Sequence, residues 1–122
     1  MADLLKAGTD WLAAQAREHL SRPVTYRRGA TVLTGVPAVV GTSVLRVADK
    51  AGNVRIVRTE RDYLIWVGDL AALGQPADGD LIDDATDGRR YEVRPVQSEP
   101  AWRYSDSRHQ RYRIHCKGVA DL

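Results

Sequence analysis

The stretch 63–96 restricts the fold more than any other part of this 122-residue chain. An apolar run over 63–67 leads to a polar corner, a Pro-x-x-Gly-Asp step over 76–80, the apolar pair Leu81-Ile82, then Asp87-Gly88 and Tyr91-Glu92-Val93. Pro76, Gly79 and Gly88 stand where a chain reverses, because proline presets φ and glycine takes positive φ without strain. Leu64, Trp66, Leu81, Ile82, Tyr91 and Val93 stand where side chains can be buried. Three short strands tied by two turns follow from this pattern, and the stretch holds no constellation of catalytic groups.

The rest of the chain extends the same reading. Residues 3–20 predict the one helix: Asp3 or Thr9 caps it and alanines at 7, 13, 14 and 16 favour it. Leu4, Leu5, Trp11, Leu12, Ala16 and Leu20 recur at spacings of three and four and form an apolar stripe. His19 near its end complements the helix dipole, and Pro23 stops the helix by forcing Arg22 out of the helical region. The stripe faces either the chain's own barrel or a neighbouring subunit.

Strand signals then run over 24–117, with strands expected at 24–27, 30–35, 42–48, 54–58, 63–67, 80–83, 89–96 and 111–117. Gly35, Pro37 and Gly41 point to an edge or bulged strand, and 49–53 to a glycine-containing hairpin connection. Asp69 is expected to cap a single helical turn over 69–73, and the polar segment 98–110, with Pro100, is expected to be a long loop. The fold class is mainly β: a small antiparallel β-barrel or sandwich with one N-terminal α-helix, as a single domain over 1–122.

Composition narrows the function classes. A formal net charge of +2 leaves the whole molecule without a strong field for nucleic acid or membrane. The single cysteine, Cys116, forms no intrachain disulfide, no apolar run has the length of a membrane span, and the first residues lack the features of a signal peptide. A soluble cytosolic domain with no membrane partner is expected. Phe is absent, and three Trp and five Tyr replace it; aromatic rings with polar tips suit half-buried contact surfaces.

Chemical sites find little support. Asp78, Asp80, Asp83, Asp84 and Asp87 invite a calcium loop, but one begun at Asp83 has Ala85 and Arg94 where ligands belong. Turn chemistry explains the acids instead. His109, His115 and Cys116 match no zinc spacing, and neighbours on a strand face opposite ways. Ser105, Asp106 and His109 could be assembled into a hydrolase triad only on paper, without a nucleophile elbow. No catalytic residue, cofactor or metal is expected. Around Trp102-Arg103-Tyr104 and over 108–113, arginines interleave with aromatics. That pattern suits a cross-strand ladder or a protein–protein rim, and its alternative is an OB-like barrel that binds single-stranded nucleic acid.

The order of elements resembles small head–tail joining proteins of tailed bacteriophages and prophages, the tail-attachment class of lambda-like phages. The resemblance is carried by VTYRRG, RDYLIWVGDL, PADGDLI, DGRRYEVRPV and WRYSDSRHQRYRIHCKGV, and covers about 10–119. It implies a non-enzymatic virion structural protein: a β-barrel that forms a homo-oligomeric ring in the virion neck. Its implied partners are portal or head-completion protein on one side and tail tube proteins on the other. DNA would pass through the lumen without sequence-specific binding, and assembly would take place in the host bacterial cytoplasm. A ring joined head to tail needs two different faces per subunit. The residues expected to make those contacts are Trp11 and Leu12 on the helix and Trp102, Arg103, Tyr104 and Arg108 in the segment after the barrel block.

Overall fold

Short antiparallel strands with one apolar face need that face covered and their edges paired, and a barrel does both. The computed structural model describes residues 7, 8, 10–12, 15 and 20–122. Its strands are β1 (Arg22–Arg28), β2 (Thr31–Gly41), β3 (Val44–Ala48), β4 (Val54–Arg58), β5 (Arg61–Trp66), β6 (Leu81–Asp84), β7 (Arg89–Val93), β8 (Trp102–Tyr104) and β9 (Arg111–Asp121). Six of them pair antiparallel in the order β5-β2-β1-β6-β7-β9, and β9 pairs back onto β5 to close the ring. β9 also carries β8 on the edge that β7 uses farther along, so one strand holds three neighbours. β3 and β4 form a separate two-stranded sheet.

Near the N-terminus Ala7, Gly8, Asp10, Trp11, Leu12 and Gln15 are helical, and Leu20 lies in a turn. The caps expected at Asp3 or Thr9, the stripe positions Leu4, Leu5 and Ala16, and His19 lie outside the described residues.

Three local readings differ from expectation. The segment 98–110 is not all loop, because β8 lies within it and pairs Tyr104 with Tyr112. Its strand character comes from a long-range partner, which no local pattern announces. The helical turn starts earlier than predicted, as a 3-10 turn over Val67–Leu70, with Asp69 inside it and no side-chain cap. β2 runs past the end expected at 35 and unbroken through Pro37, and Gly35 makes the bulge it pointed to: Val24 pairs Val36 while Tyr26 pairs Leu33. Its φ of +64° is why glycine stands there.

The core is lined by Tyr26, Tyr63, Ile65, Ile82, Val93 and Ile114, all fully buried. Leu70 closes one mouth from the 3-10 turn. The aromatic composition thus serves the interior more than the surface: Tyr26, Tyr63, Tyr91 and Tyr112 are all buried. A buried phenol needs an acceptor, and aspartate supplies it. Tyr63 on β5 donates to Asp84 on β6 at 2.7 Å, and those strands are diametrically opposed in the six-strand ring. Tyr26 donates to Asp80 at 2.5 Å.

Each buried carboxylate is answered by arginine. Arg61 reaches Asp84 and Asp87 at 3.4 and 2.5 Å while its guanidinium sits 4.8 Å from the Tyr91 ring centre. Arg22 joins the same two acids at 3.1 and 3.0 Å. At the other mouth Arg28 grips Asp80 with two bonds, 2.9 and 2.8 Å, and donates to the carbonyls of Leu73 and Gln75. That pins the 70s loop over the opening. Asp83 is shared by Arg27 at 2.7 Å and Arg90 at 2.6 Å, bridging β1 and β7 across β6. The aspartates read as turn residues are therefore ion-pair anchors as well. Burial alone would raise the Asp80 carboxyl, but Arg28 and Tyr26 hold it below its ordinary range. Burial and the neighbouring carboxylates push the phenols of Tyr26 and Tyr63 far above theirs.

Tyr63→Phe removes one donor and is expected to lower unfolding free energy by about 1–2 kcal/mol, whereas Asp84→Ala, which orphans the buried Tyr63 hydroxyl and leaves Arg22 and Arg61 with Asp87 alone, costs about 3 kcal/mol. Urea unfolding with an unchanged m-value measures both. Cys116 is almost wholly buried and burial pushes its thiol pKa up, so a thiol-specific reagent at pH 8 should label it only when denaturant is added.

Candidate functional site

The helical N-terminal residues and the segment after β8 meet at one carboxylate. Arg108 lies 2.8 Å from Asp10, and Gln110 Nε2 donates to the same oxygen at 3.3 Å. Asp10 precedes Trp11 and Leu12, which are 62 and 63% exposed. The loop they join is ordered by Asp106, whose carboxylate accepts from the backbone N–H groups of Gln110 and Arg111 at 3.0 and 3.3 Å. His109, at a φ of +57°, lays its ring parallel to Tyr104 with centroids 3.9 Å apart. Two regions expected to make contacts thus form one continuous face.

Strand alternation divides the other expected residues. Trp102 and Tyr104 turn inward, half-buried against the core. Each stands near Tyr112, with ring centroids at 5.1 and 5.6 Å. Arg103 points outward opposite Arg113. Arg113 is neutralised by Asp62 at 2.9 Å, while Arg103 has no ion pair among the described residues. Trp11, Leu12, Arg103 and Arg108 are therefore surface residues, and Trp102 and Tyr104 hold the segment on the barrel. The same geometry removes the platform needed for single-stranded nucleic acid. Tyr112 is 3% exposed and His109 covers Tyr104, so neither ring is open to a base.

Ser105, Asp106 and His109 do not assemble a nucleophile. The Ser105 hydroxyl is buried without a hydrogen bond, and His109 is engaged with Tyr104. A different Ser, Asp and His do converge, at the base of the β3–β4 hairpin. Asp62 accepts from the Ser43 hydroxyl on one oxygen and from His115 Nδ1–H on the other at 2.7 Å. Ser43 bonds the acid and not the imidazole, so this is no proton relay to a nucleophile. It is a clamp. Ser43 and Thr59 flank the hairpin, their backbones pair at 2.9 Å, and Thr59 Oγ1 accepts from Ser43 N–H at 2.8 Å. Asp62 and His115 are cross-strand partners of β5 and β9, a register invisible to spacing along the chain. Cys116 faces the core, on the opposite side of β9 from His115, and the described residues hold no metal-ligand cluster.

Burial would raise the Asp62 carboxyl, but the side chains of His115, Ser43, Thr59 and Arg113 outweigh it and bring the pKa down to about 2. A depressed carboxylate stabilises the fold above its unfolded pKa and loses that contribution as pH falls through the folded value. Unfolding free energy should therefore drop by roughly 2 kcal/mol between about pH 4 and pH 2 through this group. Asp62→Asn should flatten that part of a chemical-denaturation pH profile.

A family model described as phage head-tail joining protein matches residues 2–121, nearly the whole chain. No curated relative matches the sequence. The chain belongs to that family.

Proposed function

We propose that this head–tail joining protein, a structural component of the virion, acts as a subunit of a homo-oligomeric ring in the neck. The ring stands between portal or head-completion protein and tail tube proteins, encloses the passage for DNA, and is assembled in the host bacterial cytoplasm. The family match across 2–121 carries this reading. The fold suits it: a barrel braced by ion pairs at both mouths is a stiff spacer, and its contact groups sit on appended elements. Trp11 and Leu12 supply apolar contact area, Arg108 beside them is tied to Asp10, and Arg103 farther along the same segment adds to the charged rim common in protein interfaces. Trp102 and Tyr104 contribute by fixing the segment that presents those arginines. Its role is structural rather than catalytic.

The test is head–tail joining with particles that lack this chain and purified protein added back. Trp11→Ala with Leu12→Ala is expected to cut joined particles at least tenfold at unchanged thermal stability, since both side chains are exposed. Full joining by that double variant would remove the helix from the contact surface.

A further inference from the structure

Arginine is distributed unevenly in this molecule. In the barrel it is matched to buried acids, with Asp62, Asp80, Asp83 and Asp84 each held by one or more guanidinium groups. The β3–β4 hairpin breaks that pattern. Arg46, Lys50, Arg55 and Arg58 form no ion pair among the described residues, although they lie within fifteen residues of one another. Their sole acid is Asp49, whose carboxylate is taken up by the turn, accepting from the backbone N–H groups of Ala51 and Asn53 at 2.9 and 2.8 Å. Residues 44–58 thus carry a net charge of +3 in a chain of +2, which leaves the remainder at −1.

The hairpin's shape and chemistry select a ligand. It is a lone ribbon of two five-residue strands, registered Val44↔Arg58, Leu45↔Val57, Arg46↔Ile56, Val47↔Arg55 and Ala48↔Val54. Its outer face interleaves Arg46 and Arg58 with Val44, Val54 and Ile56, and those three aliphatic residues are 59, 66 and 72% exposed. A two-stranded ribbon fits a DNA groove, and arginine beside apolar side chains is the combination that groove-binding proteins use. Basic residues outnumber acids in the grooves on both sides of the base: Arg46 and Arg103 with Glu99 line one of about 220 Å³, and Arg58, Arg94 and Lys117 with Glu60 line another of about 270 Å³. A second copy of the chain offers this ribbon little electrostatic attraction, because its remaining charge is near zero and its buried acids are already matched. A polyanion does.

We infer that the β3–β4 hairpin is an arm that lies against the backbone of double-stranded DNA through Arg46 and Arg58, the arginines of its outer face, without reading its sequence. The inference rests on the neck reading only for why duplex DNA is at hand; the contact itself is a property of the isolated chain. The clamp at Asp62 gives the arm a fixed root, so the charges are presented in one direction.

The experiment is fluorescence anisotropy of the full chain with two labelled duplexes of unrelated sequence, about 30 base pairs each, between about 50 and 200 mM salt. The expected result is equal binding of both duplexes with affinity falling steeply as salt rises. Arg46→Ala and Arg58→Ala together should weaken binding at least tenfold at low salt and reduce the slope of log K against log salt by about 2, and the corresponding lysine replacements should restore most of it. Val54→Ser with Ile56→Ser should leave the salt slope unchanged. Absence of salt-dependent duplex binding, or binding that survives the double alanine change, overturns the inference. Self-association in sedimentation that Val54→Ser with Ile56→Ser abolishes, without any DNA affinity, assigns the face to a second copy and also overturns it. Joining assays on particles stand apart from these readings, so failure of the neck role would show as normal DNA binding with no contribution to joining.

Discussion

Tyrosine hydroxyls donated to aspartates inside the barrel, with arginine closing each acid's charge, are the interaction on which the rest of the structure depends. Without phenylalanine the core must bury polar rings, and each phenol then demands an acceptor. The bond from Tyr63 to Asp84 ties strands on opposite sides of the ring, so it fixes the barrel's width as no ladder bond between neighbours can. Arg61 and Arg22 then close one mouth and Arg28 the other. A charge so placed is expensive to isolate and inexpensive to keep as part of a set, which favours all members together or none.

This arrangement also separates stability from contact. Residues that brace the barrel point inward or lie at its mouths, while Trp11, Leu12, Arg103 and the outer hairpin face do not take part in it. A surface free of structural duty can be built for partners. The ion pair from Asp10 to Arg108, with the Gln110 bond to the same carboxylate, joins the helix to the segment after β8 and brings together two elements far apart in sequence.

The β character, the hairpins and most strand positions were legible because they rest on local rules: alternation in β3, the glycine-bearing connection between β3 and β4, the Asp87-Gly88 tip. What depended on a distant partner was not. β8 is a strand only because β9 lies beside it. The aspartates read as turn formers from spacing alone, since nothing local reveals that Arg28 and Tyr26 converge on Asp80. Of the six expected contact residues, strand parity sorted the three on β8, turning Trp102 and Tyr104 inward and Arg103 outward, once the register of Arg103 against Arg113 was known. The Asp62 clamp had no linear signature at all, because its members come from positions 43, 59, 62, 113 and 115.

The triple pairing of β9 has a consequence for how the protein is made. β5 and β7 keep an open edge until Arg111–Asp121 arrives, and 44 residues separate that strand from the end of β5 and 17 from the end of β7. Until then the translated chain is a curved sheet with two unsatisfied borders, the form most exposed to wrong partners. Closure is therefore a single late event, paced by long-range pairing rather than by local turns. A chain truncated before β9 presents no barrel to assemble from, so synthesis and fitness for the particle are checked at the same step.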